Sequence, residues 1–206
     1  MPESQAHGFT WEKEVANCFG YTSENNRYTA AHDVPPEKNR VLSGVAISVK
    51  TSGGKSVDMG DICRIFAADT PLHCVVVFYT QIETIKKLVK IVEVNLTDAQ
   101  KLLFGELTCE EINAYVDYVK GMSAEEAATK NYLVRSRSLT ARSGFLAVRP
   151  KVDSKQQRVQ CSFPDFQKFC DAYPERVIIT STKPELRGVG ISAEIVSCRR
   201  VRNAKK

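Results

Sequence analysis

Hydrophobic positions recur along the chain at two spacings, one typical of helices and one typical of strands. Near the N-terminus, Phe9, Val15, Ala16 and Phe19 fall on one helical face. This spacing predicts an amphipathic helix, which we expect to end at Gly20 because glycine is common just after a helix.

Alternating apolar positions predict the first strands. Residues 27–34 and 40–50 each read as a strand, and the polar, proline-containing turn between them makes them neighbours. Residues 73–81 are apolar on both faces, which is typical of a strand at the centre of a sheet. Residues 87–96 alternate again and predict a further strand.

The rest of the chain predicts further helices and strands. Residues 59–68 predict a short helix. Two helices follow, with Thr97 and Thr108 as their N-caps, and Glu111 completes a capping box with Thr108. The later predicted elements are two strands in residues 143–163 around a polar connection at 150–157, a helix over residues 163–173 and a last strand over residues 176–182.

Together these elements predict an α/β fold, in which a central mixed β-sheet is flanked by helices. The chain has 206 residues and 43% hydrophobic composition, so we expect one domain over residues 1–206. Within it, we expect a core at about residues 7–95, followed by helical and basic segments at about residues 96–206.

The basic residues are unevenly distributed, although the formal net charge of +5 is moderate. Their concentration in the C-terminal third favours a polyanionic partner. No apolar run has the length of a membrane span, and the N-terminus lacks an apolar signal core. We therefore expect a soluble, intracellular protein with no membrane partner. The clustered basic residues are Arg135, Arg137, Arg142, Arg149, Lys151, Lys155 and Arg158.

Polar residues are expected to converge at one edge of the predicted sheet. Asp33 lies at the end of one strand, and Ser48 and Lys50 share one face of the next because side chains alternate along a strand. Glu12 lies on the apolar face of the first helix, whereas Glu14 lies off that face. A buried carboxylate is costly unless it is paired, protonated or bound to a metal. The group therefore indicates a functional site.

Three short segments carry a resemblance to a known family. WEKEV on the first helix is followed by HDVPP and then by ISVKTSGG. This order resembles the PD-(D/E)xK nuclease superfamily, in which a helical Glu, a strand-end Asp and an (E/D)xK tripeptide surround one or two divalent cations. The resemblance covers roughly the first eighty residues. It implies a restriction-endonuclease-like fold whose catalytic core is the segment at residues 7–95.

The resemblance implies a role for each site residue. Asp33 matches the metal-binding aspartate, Lys50 the catalytic lysine and Glu12 the helical glutamate. Ser48 occupies the usual acidic position, and a hydroxyl is a weaker ligand than a carboxylate for a hard cation. The implied catalytic set is Asp33, Ser48, Lys50 and Glu12, and the implied metal ligands are Asp33, Glu12 and the Val49 carbonyl. Either the site is weakened or another group compensates, with Glu12, Val49, Glu37, Asp58 and Asp61 as candidates.

The resemblance also implies a function. We expect a Mg²⁺-dependent endodeoxyribonuclease of the type II restriction type, with one or two Mg²⁺ ions, that cuts double-stranded DNA at specific sequences. A palindromic site favours a homodimer, and restriction implies a cognate DNA methyltransferase acting on the same sites. Two alternatives stay open. One is a structure-specific or repair nuclease, and the other is a non-catalytic DNA-binding module on a decayed nuclease fold.

The basic segment contains residue types that contact DNA. Lysine and arginine bind phosphates, and in the major groove arginine reads guanine and glutamine reads adenine. An ordinary polar hairpin turn is the alternative, because exposed glutamine and arginine are common in loops. The predicted DNA-binding residues are Lys151, Lys155, Gln156, Gln157, Arg158 and Gln160.

Overall fold

The computed structural model describes residues 6–22, 32–153 and 156–196. These residues divide into two compact units, and each unit combines helices with a β-sheet. The predicted α/β class is therefore confirmed, whereas the single nuclease domain over residues 1–206 stays a prediction. The first unit contains the described parts of residues 1–55, 70–97 and 170–206, and the second contains residues 56–69 and the described parts of residues 98–169.

Helices and strands alternate irregularly along the chain. In order they are α1 (Ala6–Cys18), β1 (Ala46–Ser52), β2 (Val57–Asp61), α2 (Ile62–Phe66), β3 (Leu72–Ile82), β4 (Ile85–Asn95), α3 (Gln100–Phe104), α4 (Cys109–Gly121), α5 (Ala124–Thr129), α6 (Asn131–Arg142), β5 (Ala147–Asp153), β6 (Gln156–Phe163), α7 (Phe166–Ala172), β7 (Val177–Ser181), β8 (Glu185–Leu186), β9 (Val189–Gly190) and β10 (Glu194–Val196). None of the described helices is both long and apolar enough to cross a membrane.

A mixed five-stranded sheet forms the centre of the first unit. Its path is β1–β3–β4–β10, and β7 also pairs with β4. β1 runs parallel to β3, while the other strand pairs of this sheet are antiparallel. As predicted, the apolar run in β3 is an interior strand, since it has a neighbour on each side. β1 is consequently the end strand of the path among the described residues.

Helix α1 packs its apolar face on this sheet. Trp11, Val15 and Phe19 are fully buried and belong to one hydrophobic core with Ile47 and Val49 of β1. Burial of side chains of this size stabilises the fold by roughly 1.5–3 kcal/mol each. The predicted helix end is confirmed, since α1 stops at Cys18 and Gly20 follows with a positive φ of 72°. The core therefore fixes α1 against β1.

The second unit contains a three-stranded antiparallel sheet in the order β2–β6–β5. Helix α6 packs on this sheet, where the Ser136 hydroxyl donates to the Val148 carbonyl at 2.7 Å. The predicted capping box at Thr108 and Glu111 is confirmed at the start of α4. The Glu111 carboxylate also accepts two hydrogen bonds from Arg142 of α6, which ties the two helices together.

Several predicted boundaries were wrong at the start of the chain. The strand predicted over residues 40–50 begins only at Ala46. Residues 27–31 of the preceding predicted strand lie outside the described residues, and Val34 forms a single antiparallel bridge with Ile47. The helix predicted from residue 59 begins after Asp61, which caps it, because the preceding residues pair with β6.

Other corrections concern the later elements. Thr97 does not cap α3, whose N-cap is Ala99, because the Thr97 hydroxyl accepts from the Leu72 N–H at 3.1 Å. Helices α5 and α6 were not predicted, since their composition is polar and they bury almost no side chains. Strands β5 and β6 continue through most of the predicted connection at residues 150–157. β7 is not the last strand, because β8, β9 and β10 follow it.

Candidate active site

Asp33 is attached directly to strand β1. Its Oδ2 accepts a hydrogen bond from the backbone N–H of Val49 at 2.7 Å, and its own N–H donates to the Ile47 carbonyl at 3.0 Å. The Val34–Ile47 bridge holds the neighbouring residue in place. Asp33 is therefore fixed beside β1 by its backbone and by its side chain.

The backbone of β1 also presents a carbonyl to Asp33. Ile47 directs both its N–H and its carbonyl to Val34, so these groups point away from β3. Backbone groups alternate in direction along a strand, and Val49 lies two residues after Ile47. The Val49 N–H, which donates to Asp33, confirms that Val49 has the same direction. Its carbonyl oxygen therefore faces the strand edge where the Asp33 carboxylate lies.

Glu12 reaches the same place from α1. Partial burial raises the pKa of its carboxyl to about 7 from an ordinary value of 4.5; the negative charge of Asp33 raises it further, and the positive charge of Lys50 opposes the rise. These influences are felt only by nearby groups. Glu12 of α1 is therefore near enough to Asp33 and to Lys50 of β1 for both charges to act on its carboxyl.

Ser48 lies next to Lys50 on β1, on the face opposite to Ile47 and Val49. It is buried, and it pairs in register with Cys74 of β3. Burial raises the pKa of the Cys74 thiol to about 12, so this thiol stays protonated. Ser48 is therefore an uncharged, buried neighbour of Lys50, and the structure supplies no carboxylate at its position.

The oxygen atoms at the edge fit a small, hard cation. Two carboxylates, Glu12 and Asp33, and the Val49 carbonyl are oxygen ligands of the kind that Mg²⁺ prefers, and Mg²⁺ in proteins is often held by one or two carboxylates plus waters and substrate phosphates. Glu12 accepts no hydrogen bond or ion pair of its own from the described residues. No group of three or more His, Cys, Asp or Glu side chains in the described part of the chain could hold a metal ion.

The structure also describes the three other carboxylates that were candidate ligands, Asp58, Asp61 and Glu37. In the second unit, Asp61 accepts from the Arg64 N–H at 3.0 Å as the cap of α2, and Asp58 accepts from the Gly60 N–H at 2.9 Å. Glu37 is exposed in a short 3-10 turn. The structure therefore gives Asp58 and Asp61 local roles in a turn and a helix cap.

The sequence did not predict how α1 is anchored. Glu14 accepts two hydrogen bonds from Ser192, one from its backbone N–H at 2.8 Å and one from its hydroxyl at 2.5 Å. The Trp11 indole N–H donates to the Ser192 carbonyl at 2.9 Å. Glu12 lies between these two anchoring residues, so the segment before β10 fixes the turn of α1 that carries it.

The predicted DNA-binding residues lie in the second unit and differ in their environments. Lys151 and Arg158 are exposed and face each other across β5 and β6. Gln156 donates to Asp153 at 2.9 Å, and Gln157 donates to the Met122 carbonyl at 3.0 Å. Lys155 lies outside the described residues. Gln160 pairs with Arg149 of β5.

Comparison of the chain with protein-family models, with curated protein sequences and with solved structures gave no match.

Proposed function

We propose that the chain is a metal-dependent endonuclease that hydrolyses phosphodiester bonds of duplex DNA, with a restriction-endonuclease-like arrangement of its first unit. One observation carries the proposal: Asp33 is bonded to the edge of β1 where the Val49 carbonyl also points, and the charges of Asp33 and Lys50 both act on the Glu12 carboxyl. Two carboxylates that could hold a cation and one lysine are groups that can activate water and stabilise the charge that develops in phosphodiester hydrolysis.

Each residue has a defined part in this reaction. Glu12, Asp33 and the Val49 carbonyl would hold Mg²⁺, and the ion would supply a bound water of lowered pKa and positive charge to offset that of the phosphate. The Lys50 ammonium orients the attacking water and stabilises the negative charge that develops on the phosphate oxygens. The hydrogen bond from the Val49 N–H keeps the Asp33 carboxylate in a fixed orientation, which reduces the reorganisation needed for catalysis.

The proposal extends to sequence specificity. We infer cleavage of the type II restriction type, by a homodimer whose two sites act on the two strands of a palindrome. A cognate methyltransferase would then protect the same sites. A structure-specific or repair nuclease would use the same catalytic residues but would cut junctions, flaps or damaged DNA in place of plain duplex.

Ser48 favours a second candidate, a non-catalytic DNA-binding module. Ser48 is a buried hydroxyl at the position where the PD-(D/E)xK superfamily usually has a carboxylate. A hydroxyl contributes no charge to hold a cation. In that case the protein would bind DNA equally well with and without Mg²⁺ and would leave it intact.

The test is incubation of the purified protein with unmethylated phage DNA, in Mg²⁺ or in EDTA. We expect discrete bands in Mg²⁺ only, and we expect Lys50→Ala and Asp33→Asn to abolish them. Lys13→Ala removes an exposed lysine of α1 and should cleave like the wild type. Intact DNA that shifts in mobility would reject the nuclease in favour of the binding module, and cleavage of branched substrates alone would indicate a structure-specific enzyme.

A further inference from the structure

The hairpin of β5 and β6 extends beyond the three-stranded sheet of the second unit. β2 pairs with β6 only from Gln160 to Phe163, whereas β5 pairs with β6 from Gln156 onward. Residues 150–153 and 156–159 therefore form a two-stranded ribbon, with no third strand beside it among the described residues. We call residues 149–153 and 156–160 the ribbon, which includes the Arg149–Gln160 pair where the hairpin leaves the three-stranded sheet.

The pairing register sorts the ribbon residues onto two faces. Directly opposed residues of antiparallel strands lie on the same face, and faces alternate along each strand. One face contains the pairs Arg149–Gln160, Lys151–Arg158 and Asp153–Gln156. The other face contains the pairs Pro150–Val159 and Val152–Gln157.

The second of these faces is turned to the interior of its unit. Val159 is buried, and the Gln157 side chain donates to the carbonyl of Met122, the residue that follows α4. By contrast, Arg149, Lys151 and Arg158 are all exposed. The ribbon therefore has one packed face and one basic face.

The basic face contains an unfavourable pair. Lys151 lies directly opposite Arg158, and like charges in this position destabilise a sheet. Within the described residues, neither side chain has a carboxylate within the 4.0 Å of an ion pair. Asp153, the nearest acidic residue along β5, accepts from Gln156. Among the described residues, no ion pair to Lys151 or Arg158 offsets this repulsion, and a bound polyanion would relieve it.

Arg149 extends this charge along the strand. Its Nε donates to the Ser162 hydroxyl at 3.2 Å, which holds the stem of the side chain against β6. The guanidinium keeps its remaining N–H donors for a further acceptor. Three cationic side chains therefore share one exposed face: Arg149 and Lys151 on β5, and Arg158 opposite Lys151 on β6.

We propose that the basic face of the ribbon, made by Arg149, Lys151 and Arg158, contacts the phosphates of duplex DNA. A two-stranded ribbon fits the B-DNA major groove, which is about 12 Å wide. The major groove of A-form RNA is too deep and narrow to admit it. The choice of DNA rests on the proposed function. The inference changes the predicted set of DNA-binding residues in two ways. It removes Gln157, which lies on the packed face, and it adds Arg149.

The test measures the affinity of the full chain for a fluorescein-labelled duplex of about three helical turns. Anisotropy is recorded in EDTA at several salt concentrations, in an Asp33→Asn background that excludes cleavage. We expect Lys151→Ala and Arg158→Ala each to weaken binding about threefold or more, and each to reduce the slope of log K against log salt by about one. Lys120→Ala, an exposed lysine of α4, is the matched control and should change neither quantity.

Three results would overturn the proposal. The first is wild-type affinity and slope in the double variant Lys151→Ala, Arg158→Ala. The second is an equal loss in the Lys120→Ala control, which would indicate a response to net charge alone. The third is equally tight binding of a duplex RNA of the same sequence. Ribbon-dependent binding by a protein that never cleaves DNA would support this surface and reject the proposed nuclease.

Discussion

The Asp33 carboxylate accepts a hydrogen bond from the backbone N–H of Val49, with 2.7 Å between Oδ2 and the nitrogen. This bond joins the loop before β1 to the residue that precedes Lys50. Because the Val49 carbonyl points to the same edge, one residue both orients the carboxylate and offers a second oxygen beside it. Asp33 therefore has a structural role, which mutation can separate from its proposed role as a metal ligand.

Asp33→Asn should separate them. The amide oxygen can still accept from the Val49 N–H, so we expect the free energy of unfolding to stay within about 1 kcal/mol of the wild type. The charge is lost, so saturating Mg²⁺ should raise the Tm of the wild type and not that of the variant. Asp33→Ala should cost about 1–3 kcal/mol, because the Val49 N–H loses its acceptor.

Thermal unfolding in Mg²⁺ and in EDTA provides this measurement. A Mg²⁺-dependent increase in Tm that persists in Asp33→Asn would contradict the assignment of Asp33 as a metal ligand. Glu37→Gln, which changes an exposed carboxylate nearby in the sequence, is the control and should respond to Mg²⁺ like the wild type.

Glu12 should make stability depend on pH in the metal-free protein. Its pKa is about 7 in the folded state and 4.5 in its ordinary state, so the folded state holds the proton more tightly. The free energy of unfolding therefore falls as pH rises from about 4.5 to about 7. Glu12→Gln removes this cost, so the variant should be more stable than the wild type by on the order of 1–3 kcal/mol at pH 8, with little difference at pH 4.5.

Urea unfolding in EDTA at the two pH values tests this dependence. A stability difference between variant and wild type that is equal at both values would show that Glu12 does not titrate in this range. Adding Mg²⁺ at pH 8 should stabilise the wild type more than Glu12→Gln, because the variant keeps only the Asp33 carboxylate and the Val49 carbonyl as ligands.

The predictable part of the site depends on short-range patterns. The alternation along β1 placed Ser48 and Lys50 on one face, and the helical spacing of α1 turned Glu12 inward. Both patterns are set by backbone geometry within a few residues. The pattern of residues 27–34 predicted Asp33 at the end of a strand, whereas in the structure Asp33 lies in a loop beside β1 and Val34 makes a single bridge.

The features that the sequence did not predict depend mostly on contacts between segments that are distant in the chain. The partner of Glu14 is Ser192, which lies 178 residues later in the chain, and no local pattern relates the two. The same holds for Thr97, whose hydroxyl bonds Leu72 and so does not cap α3. Helices α5 and α6 bury at most one side chain each, so few apolar positions marked them in the sequence.

The Ser192 anchor predicts a stability effect on α1. Ser192→Ala removes the hydroxyl bond to Glu14 and keeps the backbone bond, so we expect a loss of about 1 kcal/mol in the free energy of unfolding. Glu14→Ala removes both acceptors and leaves the Ser192 N–H without its partner, so we expect about 2–3 kcal/mol. Urea unfolding measures both losses, and Lys13→Ala serves as an exposed control in the same helix. Equal stability of Glu14→Ala and Lys13→Ala would contradict the anchor.

A buried ion cluster in the first unit should govern its stability in acid. Glu93 is fully buried, and it accepts from His73 at 2.8 Å and from Arg187 at 2.6 Å and 3.0 Å. Burial alone would raise the pKa of Glu93, but the hydrogen bonds from His73 and Arg187 outweigh it and hold the pKa below its ordinary value of 4.5. The ionised carboxylate therefore stabilises the fold above pH 4.5, and this contribution is lost as pH falls through the lower, folded-state pKa.

Arg187→Ala should show how much this cluster contributes to the free energy of unfolding. The variant leaves a buried carboxylate without its bidentate partner, so we expect a loss of about 3–5 kcal/mol at pH 7. The loss should shrink as pH falls below 4.5, because protonated Glu93 no longer needs the guanidinium. Arg176→Ala, which breaks hydrogen bonds to the Asn95 and Thr97 carbonyls, is the matched control and should show no such pH dependence. Urea unfolding at pH 7 and in acid distinguishes them, and a cost of Arg187→Ala that does not change with pH would mean that the ionisation of Glu93 is not what Arg187 supports.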